Sequence, residues 1–313
     1  MIQKRTIGIV GTGHVGVAAA YAIFMRGVAS EIILIDKDSA RAEGEAMDLM
    51  HGQTFFETIT VRAGAYRDLS AAQMVIVTAG VGQQPGESRL DLLNRNAAVF
   101  KDIVSQLDRH SPRSVLVIAS NPVDILTYIT QQISRRDPNR VIGTGTMLDT
   151  ARFRTLLGRH YQVDPRSVHA YILGEHGDTE VPVWSSANIG GVPLVGNSVR
   201  GTSFQAEKLG RLFDAVRNAA EAIITRKGYT NTAIGMAIVR LAEAVLEDQK
   251  SVLPVSRMLA GEYGLQDVCL SIPTVVGING VEGAILPPLS DAENDALRHS
   301  AKTLQKAIEG IGL

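Results

Sequence analysis

The chain has 313 residues, about twice a typical domain, so a two-domain arrangement is expected. Hydrophobic residues make up 45% and charged residues 20%, which excludes disordered and collagen-like classes. Lys+Arg number 31 against 32 Asp+Glu, so nothing in the charge balance suggests nucleic acid or an anionic membrane as partner. Cys269 is the sole cysteine, which excludes an internal disulfide and a cysteine-based metal centre and fits a reducing compartment, by default the cytoplasm. No apolar run approaches the ~20 residues that span a bilayer, and the N-terminal apolar run is too short for a signal peptide. A soluble, untargeted protein without a bound metal is expected.

In chain order, short apolar runs rich in Ile and Val recur at Ile7–Val10, Glu31–Ile35, Ile59–Val61, Met74–Val77, Val115–Ala119 and Val141–Gly143. Such runs fit strands buried on both faces. Helical segments separate them at Val15–Arg26, Ser39–Met50, Arg95–Arg109 and Val123–Arg135. This alternation predicts an α/β fold, a doubly wound parallel sheet of Rossmann type over residues 1–145. Arg26 and Gly27 are the expected C-terminal cation and left-handed cap of the first helix.

The pattern changes near Gly145. Residues 146–313 read as an α+β substrate domain with antiparallel sheet. Val168–Leu173, Val181–Ser186 and Cys269–Ile278 are strand-like, and Gly190-Gly191 and Asn279-Gly280 signal hairpins. Helices are expected over Phe204–Lys227 and Tyr229–Glu247, parted by Gly228. A last helix is expected from Ser290, with Glu293 completing a capping box. Its stripe Leu297, Ala301, Leu304, Ile308 and Ile311 faces inward.

Gly11-Thr12-Gly13-His14-Val15-Gly16 follows a predicted strand and opens a predicted helix, the context that gives this glycine pattern meaning. Gly11 makes the tight turn, Gly13 admits a pyrophosphate to the backbone, and Gly16 lets helix and strand pack closely. Amides at the helix N-terminus then face the anion. Asp36 ends the next strand, where a carboxylate accepts from both ribose hydroxyls and repels the extra phosphate of NADP, so the expected cofactor is NAD. Gly80, Val81 and Asn121, at the ends of later strands, flank the same crevice.

His176 lies in the loop Gly174-Glu175-His176-Gly177-Asp178, and Asp149 and Arg152 fall on one face of a helix beginning near Leu148. Arg89 ends a polar segment, 83–89, that reads as a mobile loop. Taken with Thr78–Asn96, Ser120–Asp124, Leu148–Arg154, His169–Asp178 and Lys227–Gly235, these motifs make the chain resemble the L-lactate/malate dehydrogenase family from Ile7 to the C-terminal helix. The resemblance implies that His176 exchanges the proton, Asp149 holds its imidazole, Arg152 clamps the substrate carboxylate, and Arg89 closes over the site and polarises the carbonyl. Asn121 would bind the nicotinamide ribose or the substrate oxygen. Thr230 matches the wall beside the substrate methyl, and Ile234 the surface beneath the nicotinamide. His is the natural acid for reduction of a 2-oxo acid near neutral pH, and a planar Arg can grip a carboxylate bidentately.

Malate-specific relatives carry an arginine where this chain has Gln83. A neutral amide cannot compensate a second buried carboxylate. That points to pyruvate, giving L-lactate, rather than oxaloacetate and malate; a catalytically dead dinucleotide-binding protein is the remaining alternative. Arg154 projects away from Arg152 on the same helix, and His169 lies seven residues before His176. Both match the pair through which allosteric bacterial relatives bind fructose 1,6-bisphosphate across a twofold interface. The resemblance therefore implies a homo-oligomer, expected to be a tetramer, activated by that effector.

Overall fold

The computed structural model describes residues 5–56, 58–82, 86, 88–309 and 311. Its first half alternates β1 (Thr6–Val10), α1 (His14–Arg26), β2 (Glu31–Ile35), α2 (Ser39–His51), β3 (Thr60–Ala63), β4 (Met74–Val77), α3 (Arg89–His110), β5 (Val115–Ile118), α4 (Val123–Ile133) and β6 (Val141–Gly143). The parallel strands lie in the order β3-β2-β1-β4-β5-β6, so the chain reverses direction across the sheet between β1 and β4. Ligands bind outside the carboxyl ends of strands at such a reversal.

Every residue of β1, β2, β4, β5 and β6 is buried. Alternate side chains feed two cores: Ile7 and Ile9 pack with α1 and α8 (Thr232–Leu246), while Val10, Val75 and Val77 pack with α3 and α4. Each fully buried Val, Leu or Ile stabilises the fold by roughly 1.5–3 kcal/mol relative to exposure. Gly27 closes α1 with φ 65°, its N–H donating to Phe24 O. Asp38 caps α2 by accepting from Arg41 N.

The second half begins with α5 (Met147–Tyr161) and the short strands β7 (Val168–His169), β8 (Ile172–Leu173), β9 (Val181–Pro182), β10 (Asn188–Ile189), β11 (Val192–Pro193), β12 (Ser198–Val199) and β13 (Thr202–Ser203). These pair antiparallel, with Gly190-Gly191 turning β10 into β11. Then come α6 (Ala206–Arg217), α7 (Ala219–Lys227), α8, β14 (Ser251–Ala260), β15 (Gln266–Gly277), β16 (Gly280–Ala284) and α9 (Asp291–Glu309). The β14–β15–β16 meander adds to β6 through Ser256 opposite Gly143, so one sheet of nine strands runs through both halves.

Several expectations are corrected. The helix expected from Arg95 starts at Arg89, because Ser88 caps it by accepting from Asp91 N; Arg89 is therefore the first helical residue rather than a loop residue. The strand expected over Val168–Leu173 is two, pairing with different partners, and the one expected over Val181–Ser186 stops at Pro182. The helix expected over Phe204–Lys227 breaks at Asn218 into α6 and α7. Strand β14 escaped notice, since its Pro254, Ser256 and Arg257 interrupt the apolar run. The capping box is present: Ser290 N donates to Glu293 Oε2 at 2.8 Å and Glu293 N to Ser290 Oγ at 3.3 Å. Among the described residues no helix is long and apolar enough to cross a membrane.

Candidate active site

A cavity of ≈ 690 Å³ opens at the sheet reversal, lined among others by Gly11, Gly13, Asp36, Thr78, Gly80 and Val81. Gly11 has φ 103°, a left-handed conformation, and a Cβ there would lie 2.6 Å from Ala79 N. A Cβ on Gly16 would come within 1.9 Å of Gly11 O, so α1 can cross β1 this closely only with glycine. At Gly13, by contrast, an added Cβ meets nothing within 4 Å. Open space in front of that backbone, at a helix N-terminus, suits a pyrophosphate.

Asp36 faces the same cavity. Its Oδ2 accepts from Thr12 N at 2.6 Å and Thr12 Oγ1 at 2.9 Å, and its Oδ1 from Asp38 N at 3.1 Å. Burial pushes its carboxyl up, but these hydrogen bonds outweigh it and hold the group below the usual carboxylate range. Since Asp38 caps α2, Asp36 is not there as a helix cap. These residues fit a dinucleotide with free ribose hydroxyls, with Asp36 as the acceptor and the Gly13 amides as the phosphate cradle.

Asn96, buried on α3, fixes the rim: its Oδ1 accepts from Val81 N at 3.0 Å and its Nδ2 donates to Val81 O and Leu92 O. Ser120 Oγ donates to Ala79 O at 2.5 Å, tying the end of β5, where Asn121 sits exposed, to the residue before Gly80. Val15 and Ile234 pack against the core beneath α1 and α8, where Gly235 lets the helices approach until an added Cβ would touch Ala18 O at 2.9 Å. The His14 ring stacks on Tyr229, next to Thr230.

The second cluster lies where α5 meets the loop after β8. His176 Nδ1 is 2.5 Å from Asp149 Oδ2, and Asp149 Oδ1 accepts from Arg152 Nη1 at 2.9 Å, the i,i+3 pairing expected on α5. Asp149 is buried, whereas the His176 side chain keeps 28% of its surface exposed. The carboxylate can only accept from Nδ1–H, so Nε2 is the nitrogen left for a substrate oxygen. Burial lowers the imidazole pKa, but the Asp149 hydrogen bond and charge, with Asp124 and Glu180 behind, carry it up to about 9. His176 is therefore an imidazolium at neutral pH.

Two acids at this cluster escaped the sequence reading. Asp124, at the start of α4, accepts His176 N at 2.7 Å and is buried. Its signal was an acid inside an otherwise apolar helix start. Glu180 sits four residues beyond His176 and is buried, its Oε1 without a hydrogen-bond partner among the described residues; burial and the Asp149 charge push its carboxyl up to about 8. Gln83 and the Arg89 side chain lie outside the described residues. Arg154 does not share Arg152's partner: its Nε donates to Ala170 O at 2.9 Å and its guanidinium lies 4.8 Å over the Tyr171 ring; His169, on β7, is exposed.

A dinucleotide crevice at the sheet reversal, in a chain that also carries a carboxylate-held imidazolium and an arginine on that same carboxylate, fits a nicotinamide-dependent dehydrogenase. Comparison with known proteins narrows the class. Residues 5–143 match the NAD binding domain of lactate/malate dehydrogenases and residues 146–311 match their alpha/beta C-terminal domain. The chain belongs to the lactate/malate dehydrogenase family, and its cofactor is NAD. An L-lactate dehydrogenase of Salinibacter ruber is 59% identical, over 97% of each chain. One of Thermus aquaticus is 47% identical over 98% of this chain and 99% of its own. A minor L-lactate dehydrogenase from Enterococcus mundtii, solved with ligands bound, superposes with a TM-score of 0.96 at 43% identity over 99% of both chains.

Proposed function

We propose that this enzyme is an L-lactate dehydrogenase, reversibly reducing pyruvate to L-lactate with NADH. The observation that carries the chemistry is the Asp149–His176 contact at 2.5 Å, with Nε2 open and Arg152 held on the same carboxylate. Arg152 commits Nη1 to Asp149, and its remaining donors form a fork for the substrate carboxylate. That grip sets the keto oxygen toward His176. Bound NADH supplies the hydride that reaches the carbonyl carbon. As charge develops on the oxygen, His176 Nε2 gives up its proton, and Asp149 keeps the ring in the required tautomer. In the reverse direction neutral His176 accepts the hydroxyl proton. Arg89 adds positive charge where the alkoxide forms, and Asn121 orients the nicotinamide ribose or the same oxygen.

Pyruvate is favoured over oxaloacetate because Gln83 supplies no charge for a second carboxylate, and the Salinibacter ruber and Thermus aquaticus relatives are lactate enzymes. Oxidation of NADH, followed at 340 nm with pyruvate and separately with oxaloacetate, tests this. A higher kcat/KM with oxaloacetate would make malate the product, and no turnover with either would leave a binding protein.

We further assign Arg154 and His169 to a fructose 1,6-bisphosphate site on a twofold interface. The bond from Arg154 to Ala170 O, the residue next to His169 in sequence, supports it. An apolar groove of ≈ 760 Å³, lined by Met147, Leu148, Ala151, Met236 and Val252 and reaching Arg154, suits a second copy of the chain across a twofold axis, two such pairs making the expected tetramer. Sedimentation and pyruvate titrations with and without the bisphosphate, on wild type and Arg154→Gln, test both: identical curves in the wild type would leave the pair without an effector. The buried free thiol of Cys269, kept protonated by burial, is consistent with a cytoplasmic location.

A further inference from the structure

His14 stands in the phosphate-binding turn, yet its ring is engaged elsewhere. It lies parallel to the Tyr229 ring, centroids 3.9 Å apart and planes within 2°. Among the described residues the other ring pairs meet edge-on. Both partners are exposed, Tyr229 by 38%, so this contact is no part of a core. It spans the two halves of the chain at one end of the close-packed α1–α8 pair.

What it secures is otherwise weakly held. Helix α7 buries none of its residues, and Gly228 follows it at φ 88°. Lys227 Nζ donates to Asn231 Oδ1 at 2.7 Å and sits 4.9 Å from the Tyr229 ring centroid, which fixes the segment 227–231 onto itself. The His14 ring fixes it to the dinucleotide turn. Thr230, the substrate wall, lies inside this segment.

We propose that His14 is a positioning residue for the substrate: by clasping Tyr229 it anchors the segment that carries Thr230, the wall of the pyruvate site, to the start of α1. This rests on the lactate dehydrogenase reading given above. A wall that is in place only part of the time weakens apparent substrate affinity by that fraction, while a bound, closed complex reacts as before. Losing the clasp should therefore appear in KM and spare kcat.

The test uses full-length His14→Ala, His14→Phe and Tyr229→Leu, with NADH binding measured by fluorescence titration and pyruvate kinetics at saturating NADH. His14→Ala and Tyr229→Leu should each raise the pyruvate KM roughly two- to tenfold, the range of one aromatic pair. For Tyr229→Leu, which lies outside the dinucleotide turn, kcat and NADH Kd should stay within about twofold of wild type; the double variant should be no worse than either single one, and His14→Phe should restore KM. An unchanged KM in His14→Ala, a loss carried by NADH Kd in Tyr229→Leu, or a His14→Phe as impaired as His14→Ala would each overturn the clasp. Should the wild type turn over oxaloacetate instead, the substrate assignment fails, and the same comparison run with oxaloacetate still decides the clasp.

Discussion

Asp124 reaches across 52 residues of chain to accept the backbone N–H of His176 at 2.7 Å. The bond fixes the catalytic loop from the start of α4, independently of Asp149. Burial raises the Asp124 carboxyl from 3.8 to about 6, against the opposing pull of the Ser256 hydroxyl and the His176 N–H. With a raised folded-state pKa, the folded protein holds this proton more tightly than the unfolded chain. The group's contribution to stability therefore declines as pH rises through that interval. Asp124→Asn keeps an acceptor and removes the buried charge, so it should gain on wild type between pH 4 and 7. Asp124→Ala strands the N–H and should cost roughly 1–3 kcal/mol together with kcat/KM. Urea unfolding across that pH range checks both; equal losses in the two variants would remove the acceptor role.

The His176 imidazole, raised to about 9, gives pyruvate reduction an alkaline limit, because the protonated form is consumed and becomes scarce above that pH. Asp149→Asn withdraws the charge that sustains imidazolium. The limit should then move down by roughly 1–3 pH units, with kcat/KM for pyruvate at pH 8 falling more than about tenfold. Lactate oxidation needs the neutral ring and should rise with pH in the wild type. A reduction profile unshifted in the variant would mean that Asp149 does not set the limit.

Gln83→Arg supplies the missing partner for a second carboxylate. A charge-assisted pair in a closed site should move the ratio of kcat/KM from pyruvate toward oxaloacetate by more than about tenfold, at ~1.4 kcal/mol per decade. Competition between the two acids in one cuvette gives this ratio directly, and a constant ratio would place residue 83 away from the pocket.

A preference for NADH over NADPH is expected from Asp36. The bonds from Thr12 and Asp38 that keep it ionised also fix its position, so a phosphate on the ribose would meet a stationary negative charge. Asp36→Asn should narrow the gap in kcat/KM between the two cofactors. Comparable values for both in the wild type would end this assignment.

The parallel half of the fold and the glycine turn were legible because they are local: apolar runs mark buried strands, and the spacing from Gly11 to Gly16 is a matter of consecutive residues. Asp149 and Arg152 were legible by helical spacing. What stayed hidden depends on the return of distant chain. Glu180 and Asp124 acquire meaning only when α4, α5 and the loop after β8 converge, and a lone acid in sequence shows no burial. Strand β14 was hidden by its polar positions, which β15 and β6 cover on either side. The His14–Tyr229 stack joins residues 215 positions apart by subtraction of their numbers, with no periodicity to betray it.

The sheet passing from β6 into β14 separates inheritance from folding. The two family domains meet at residues 143 and 146, and at that seam Gly143 pairs with Ser256, Thr146 N donates to Ser271 Oγ at 2.9 Å, and Gly145 leaves no room for a Cβ beside Ser271. A fragment ending at the seam would expose the apolar edge of β6, an invitation to pair with another chain. The two family domains are thus joined by one continuous sheet, and a cut at residue 145 would fall within it. The strand that leads to the His176 loop is tied to the same slab through the Gly174–Ser271 bridge, so the dinucleotide crevice and that loop are both anchored to one sheet.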